Sequence, residues 1–137
     1  MKNNNLTEEL IKELPEGSSL CVYDKNNNII FQNSGKWLHP LFDLEDFLAK
    51  SKLSAENLFL HDKIAGRAAA SLIAKMGFKK CFIDLMSKHA IDVFENNNIT
   101  YGYVDIVDKI SCQTEKILDS SMDLETVYKI LKERAGK

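Results

Sequence analysis

Hydrophobic and polar positions alternate with a period of two near the start of the chain. Residues 19–24 put Leu20 and Val22 on one face and polar or mixed positions on the other, as a half-buried strand does. Asparagines at 26–28 tolerate left-handed backbone, and the apolar residues 29–31 follow them. The pattern therefore predicts a β-hairpin.

Apolar residues recur at helical spacing through much of the remaining chain. A short first helix, capped by Thr7, is predicted to end at Pro15, because proline cannot continue a helix. In the predicted helix over 62–76, Asp62 is the expected N-cap and Gly77 lies just past the end. Further helices are predicted over 40–51, from Ser87 to Asn96 and from Asp123 onward, and further strands over 79–86 and 99–107.

The order of these elements predicts the fold class. A nearly continuous apolar run over 81–86 is typical of a strand covered on both faces. A helix and then the strand over 99–107 follow this run, which makes a βαβ crossover. We therefore predict one domain over residues 1–137, a three-layer α/β/α sandwich with a mixed sheet.

Composition and charge narrow the functional classes. The 137 residues are 45% hydrophobic and 28% charged, as in an ordinary globular domain. A formal charge of −2 argues against nucleic acid as a partner. No apolar segment resembles a signal peptide or reaches the roughly 18 residues of a membrane-spanning helix, so we expect a cytoplasmic protein with no membrane contact.

Cysteine and histidine spacing gives no local metal motif. The chain has three cysteines and three histidines, all widely separated, and no Cys-x-x-Cys pair. We therefore expect no metal and no cofactor. Cys21 and Cys81 lie in predicted strands and are assigned to the core, whereas Asp84 interrupts a buried strand and should lie near its end or be paired.

Four polar residues are the candidate ligand-binding set. Ligands of open α/β sheets bind beyond the carboxyl ends of parallel strands, near helix N-termini whose free N–H groups favour anions. Asp62, Lys63, Lys88 and His89 are predicted at such positions. Simpler alternatives are an N-cap role for Asp62 and a plain surface position for His89.

Cys112 is the candidate nucleophile. It lies in a predicted loop, where Ser111 can cap a short helix whose N-terminus would lower the thiol pKa. Glu115 could order this turn, and together Cys112 and Glu115 form the candidate catalytic pair. The alternative is a half-buried structural thiol.

The run DKIAGRAAA over residues 62–70 resembles domain of unknown function 1893, a prokaryotic family with a cytidine-deaminase-like fold. The resemblance extends from the hairpin to the last helix and includes Cys112-x-x-Glu115. The family's Asn-Arg pair is replaced by Asp108 and Lys109, and its proline after the cysteine by Gln113, so roles resting on those residues do not carry over.

The resemblance implies a sheet order and helix layers like those of zinc nucleoside deaminases. Those enzymes need His or Cys followed two residues later by Glu, and a Pro-Cys-x-x-Cys motif. The equivalent helix starts at 62–64 and 87–90 supply no thiolate ligand, which argues against zinc-dependent deamination.

Three hypotheses follow. The first is a metal-free, deaminase-like domain that binds a small anionic or nucleotide-like ligand at the helix N-termini. The second is a thiol enzyme that uses Cys112. The third is a non-catalytic interaction module that forms a homodimer through a sheet edge or through the helix over 40–51.

Overall fold

A mixed β-sheet organises the part of the chain that the computed structural model describes, which is the backbone of residues 2–3 and residues 13–110 and 117–136. The strands are β1 (Lys2–Asn3), β2 (Leu20–Tyr23), β3 (Ile29–Asn33), β4 (Phe59–Ala65), β5 (Lys80–Ser87) and β6 (Thr100–Val107). The α-helices are α1 (His39–Ser51), α2 (Arg67–Met76), α3 (Lys88–Asn96) and α4 (Leu124–Arg134), and a short 3₁₀ helix covers Ala55–Asn57.

The strand order in the sheet is β1-β6-β5-β4-β2-β3. β4, β5 and β6 are parallel to one another, whereas β2 runs antiparallel to both β4 and β3, and β1 runs antiparallel to β6. The units β4-α2-β5 and β5-α3-β6 are therefore crossovers between parallel neighbours. The predicted βαβ unit and the mixed α/β class are confirmed.

The β2–β3 hairpin forms for the local reason that the sequence indicates. The carboxylate of Asp24 accepts hydrogen bonds from the backbone N–H groups of Asn26 and Asn28, both at 2.9 Å. Asn27 has a φ of 68°, a left-handed conformation that asparagine tolerates better than most residues. This carboxylate thus orders the turn that joins the two strands.

The two faces of the sheet bury two separate apolar clusters. Leu20 and Val22 belong to the larger cluster, to which all four helices contribute side chains. Cys21 and Tyr23 belong to a smaller cluster on the opposite face, with Phe59 and Phe82. The predicted alternation along β2 is confirmed, and Cys21 and Cys81 are buried free thiols, as predicted.

The predicted helix over 62–76 is wrong in its first turn. Residues Phe59–Ala65 form β4, and the helix begins only at Arg67, after an extended Gly66. β4 lies between β2 and β5, so ladder hydrogen bonds on both sides satisfy its backbone. Asp62 is therefore a strand residue and not an N-cap, because tertiary pairing outweighs the local helical spacing.

The other helix starts agree with the sequence. The Ser87 hydroxyl accepts a hydrogen bond from the N–H of Ala90, and the Asp123 carboxylate accepts one from the N–H of Thr126. The first predicted helix lies largely outside the described residues, and residues 13–15 at its predicted end are not helical. In the described ranges, no helix is long and apolar enough to cross a membrane.

Two helix ends with left-handed residues allow a matched stability test. Gly77 (φ 98°) ends α2 and Lys52 (φ 61°) ends α1. We expect Gly77→Ala to lower the free energy of unfolding by about 1 kcal/mol and Lys52→Gly to raise it slightly, because glycine adopts this conformation without a Cβ penalty. Urea denaturation measures both changes, and equal signs for the two variants would contradict this explanation.

Candidate functional site

Polar residues collect at one edge of the sheet, where β4, β5 and β6 end. Because β2 is antiparallel to β4, the start of β2 lies at the same edge: Leu20 pairs with Asp62, and the Lys63 N–H donates to the Ser19 carbonyl at 2.9 Å. The helices α2 and α3 begin directly after β4 and β5 at this edge. Two cavities open there, one on each side of the sheet.

The cavity on the helix side has a volume of about 380 Å³ and is called the helix-side cavity below. The loop between β3 and α1, the start of α1 and the end of β4 form its walls. Its lining includes Ser18, Ser34, Gly35, Lys36, Trp37, Pro40, Asp62 and Lys63.

Short hydrogen bonds fix the loop that carries Trp37. The Gly35 N–H donates to the Asn33 side-chain oxygen at 2.7 Å, and the Ser19 hydroxyl donates to the Gly35 carbonyl at 2.7 Å. A Cβ on Gly35 would lie 2.9 Å from that Asn33 oxygen, so a larger residue at this position would displace the Asn33 side chain that accepts from the Gly35 N–H. Trp37 has a φ of 57°, is 42% exposed and meets the ring of His39 edge-on at 5.3 Å. The loop therefore holds an accessible indole beside the cavity.

Asp62 is the buried carboxyl of the helix-side cavity. It is 8% exposed, and burial raises the pKa of its carboxyl to about 7, although backbone N–H groups of Ile64 and Lys63 oppose this shift. Near neutral pH both protonation states are therefore populated. Asp62 can accept a hydrogen bond in one state and donate one in the other.

Arg67 and His89 join the starts of α2 and α3. The Arg67 guanidinium is buried, and its Nη2 lies 3.2 Å from Nδ1 of His89. Arginine only donates hydrogen bonds, so Nδ1 of His89 is the acceptor in this contact. Arg67 is not among the predicted site residues, because the predicted helix over 62–76 puts it in the second turn and not at the helix start.

Lys88 lies at the exposed rim of this edge. Its ammonium group is 2.9 Å from the carboxylate of Asp108, and both side chains are largely exposed. Their mutual hydrogen bond raises the pKa of Lys88 and lowers that of Asp108. Such an exposed pair contributes little to stability, so Lys88 can exchange Asp108 for another anion.

His61 and Asp84 form a hydrogen-bonded pair on the opposite face. Nε2 of His61 lies 2.7 Å from Oδ1 of Asp84, and the imidazole, which is 1% exposed, meets Phe82 edge-on. Of the two predictions for Asp84, pairing with another residue is confirmed, whereas the residue lies in the middle of β5 and not near its end. The partner, His61, lies 23 positions earlier in the chain, so spacing along the sequence could not reveal it.

A second cavity, of about 920 Å³, opens above Asp84 and is called the sheet-side cavity below. Residues 13–18 form one wall, and the ends of β4, β5 and β6 form the floor. Its lining includes Glu13, Leu14, Glu16, Lys63, Phe82, Asp84, Leu85, Val104 and Asp105. Lys63 stands on the rim between the two cavities, because it lines both.

The predicted site residues thus fall into two groups along one edge. Asp62 and Lys63 line the helix-side cavity, whereas Lys88 and His89 lie at the start of α3. Cys112 and Glu115 lie outside the described residues, and their position relative to Lys63 stays a prediction. Within residues 13–110 and 117–136, no three His, Cys, Asp or Glu side chains are placed to hold a metal ion together.

Comparisons with known proteins give a family and a fold. The sequence profile of TM1506, described as a domain of unknown function (DUF1893), matches residues 9–135. The crystal structure of a DUF1893 family protein from Thermotoga maritima is similar to this chain, with a TM-score of 0.74 and 22% sequence identity over 85% of this chain and 80% of that one. No curated protein matches the chain significantly.

Titration of Asp62 gives a testable pH dependence. A carboxyl with a raised pKa binds its proton more tightly in the folded state, so the stability that this gives is lost as pH rises toward 7. Between pH 5 and pH 8 we expect the free energy of unfolding to fall by roughly 2 kcal/mol more in the wild type than in Asp62→Asn. Urea denaturation at both pH values measures the difference.

Asp92→Asn is the matched control for this measurement, because Asp92 is exposed on α3. It should retain the pH dependence of the wild type. The same slope in the wild type and in Asp62→Asn would show that Asp62 ionises as an ordinary carboxyl.

Proposed function

We propose that this chain, which belongs to the TM1506 family, a domain of unknown function (DUF1893), binds a small anionic, nucleotide-like ligand in the helix-side cavity. One observation carries the proposal. The same 380 Å³ cavity is lined by an exposed indole, a buried carboxyl and two lysines, namely Trp37, Asp62, Lys36 and Lys63.

These groups match the chemical parts of a nucleotide. The indole of Trp37 offers an aromatic surface for stacking, which is tolerant of base identity. Asp62 offers a hydrogen-bonding group to a polar ring edge, and as an acid or a base near neutral pH it suits either a donor or an acceptor. Lys36 and Lys63 supply positive charge for a phosphate or carboxylate.

The helix starts beside the cavity favour an anion at this edge. α2 and α3 both begin here, and a helix N-terminus carries a partial positive charge and free N–H groups. Arg67 adds a permanent charge at the start of α2, and its contact with His89 holds the two helix starts together. In this proposal, Lys88 and His89 therefore lie at the outer end of the site, where they attract the anionic group of the ligand.

The finer fold assignment is part of the proposal. A hairpin antiparallel to three parallel strands, with crossover helices α2 and α3, supports a cytidine-deaminase-like arrangement. The smaller apolar cluster, on the face opposite the four helices, supports a third layer and hence an α/β/α sandwich. In this proposal the domain works without zinc and in the prokaryotic cytoplasm.

The two other hypotheses rest on different features. A thiol enzyme would need Cys112 as nucleophile, with Glu115 beside it, and both lie outside the described residues. A homodimer could form along β3, since that strand pairs only with β2 within the described sheet and Ile29 on it is 49% exposed.

A thermal-shift panel tests the proposed function. We expect one or more of AMP, CMP, GMP and UMP to raise the melting temperature, while inorganic phosphate alone has a smaller effect. Lys63→Ala and Trp37→Asn should each weaken the apparent affinity about tenfold, the loss expected for one ionic or stacking contact. Asparagine is chosen at position 37 because it tolerates the left-handed backbone.

Lys50→Ala is the control, because Lys50 is an exposed lysine near the end of α1. It should bind as the wild type does. The proposed function is wrong if no nucleotide shifts the melting temperature, or if the Trp37 and Lys63 variants bind as tightly as the control.

A further inference from the structure

The sheet-side cavity is separated from the proposed nucleotide site by the sheet itself. Side chains alternate along β4, so His61 and Asp62 point to opposite faces. Asp62 pairs laterally with Leu20 and Ile83, both in the larger apolar cluster, to which the four helices contribute. His61 pairs laterally with Cys21 and Phe82, both in the smaller cluster. The two cavities therefore have different floors, and they share a rim formed by Gly17, Ser18, Lys63 and Ile64.

We propose that the sheet-side cavity is a second ligand site, which takes a small organic cation with an apolar body. In this site the carboxylate of Asp84 anchors the ammonium group, and His61 is a positioning residue that fixes this carboxylate. The proposal does not depend on the nucleotide site.

The charge of the lining favours a cation. Among the described residues, Glu13, Glu16, Asp84 and Asp105 line the cavity together with a single cationic side chain, Lys63. The glutamates belong to the wall formed by residues 13–18, whereas Asp84 belongs to β5 in the floor, so the negative charges come from different parts of the lining. A cation entering the cavity would thus meet carboxylates from two sides.

The apolar part of the lining favours an organic cation over a metal ion. Leu14, Phe82, Leu85 and Val104 supply the apolar surface, and Val104 is 43% exposed there. A cavity with apolar walls and few convergent polar groups is the usual form of a small-molecule site. Its volume of about 920 Å³ is sufficient for a single aromatic or aliphatic amine.

The His61–Asp84 pair gives the anchor a fixed direction. Oδ1 of Asp84 is 2.7 Å from Nε2 of the buried imidazole, so this oxygen faces the sheet. Asp84 is 38% exposed and lines the cavity, which leaves its other oxygen for a ligand. His61 is held in turn by the edge of Phe82, at a ring distance of 5.1 Å.

Packing alone does not explain why a histidine occupies this buried strand position. Nδ1 of His61 has no hydrogen-bond partner in the described structure, and a buried polar atom without a partner lowers stability. Leucine or valine would fill such a strand position without this penalty. In the described structure, the hydrogen bond that the imidazole donates to Asp84 is the one polar contact of the His61 side chain.

Benzylammonium is a suitable probe, with benzyl alcohol as its neutral isostere and benzoate as its anionic one. We expect benzylammonium to raise the melting temperature of the wild type and the two isosteres to have no effect. Asp84→Asn should weaken benzylammonium binding about tenfold, and Asp105→Asn several-fold, because each removes one carboxylate from the site. Asp105 is exposed, so its variant should fold normally.

Two substitutions test whether His61 positions the Asp84 carboxylate for binding. His61→Leu should weaken benzylammonium binding, whereas His61→Gln, whose side-chain amide can again donate to Asp84, should restore part of it. Asp92→Asn, a carboxylate change on α3, should bind as the wild type does. The proposal is overturned if benzylammonium and benzyl alcohol shift the wild type equally, if neither does, or if Asp84→Asn and Asp105→Asn both bind unchanged.

Discussion

β4 is held on both sides, antiparallel to β2 and parallel to β5, and this pairing fixes which way each of its side chains points. A slip of one residue would exchange His61 and Asp62 between the two faces of the sheet. Both residues are buried, so the register of β4 determines where the carboxyl of one cavity and the imidazole beneath the other are placed. The remaining polar groups of the edge are arranged around this strand.

The polar groups at this edge are unfavourable for stability taken alone. A buried carboxyl with a pKa raised to about 7 and an imidazole with an unpaired nitrogen both oppose folding. The extensive core formed by the four helices and one sheet face offsets these losses. Polar residues kept at a cost in stability are typical of functional positions, which is why we assign ligands to this edge.

Much of the architecture follows from local sequence signals. The hairpin depends on Asp24 and its asparagines, and α3 and α4 begin at the capping residues that their sequences indicate. The error at residues 62–65 has a physical cause: a segment that was predicted as the first turn of a helix formed a strand because two neighbouring strands were available to pair with it. The Arg67–His89 and His61–Asp84 contacts join residues more than twenty positions apart, so spacing along one sequence could not reveal them.

If the two faces of β4 carry two chemically different sites, amide correlation NMR can separate them in one experiment. The nucleotide that raises the melting temperature most should move the resonances of Gly35, Trp37 and Asp62, and benzylammonium those of Asp84, Val104 and Asp105, with Lys63 responding to both. Perturbation of one common set by the two ligands, or of residues remote from both cavities, would contradict this arrangement.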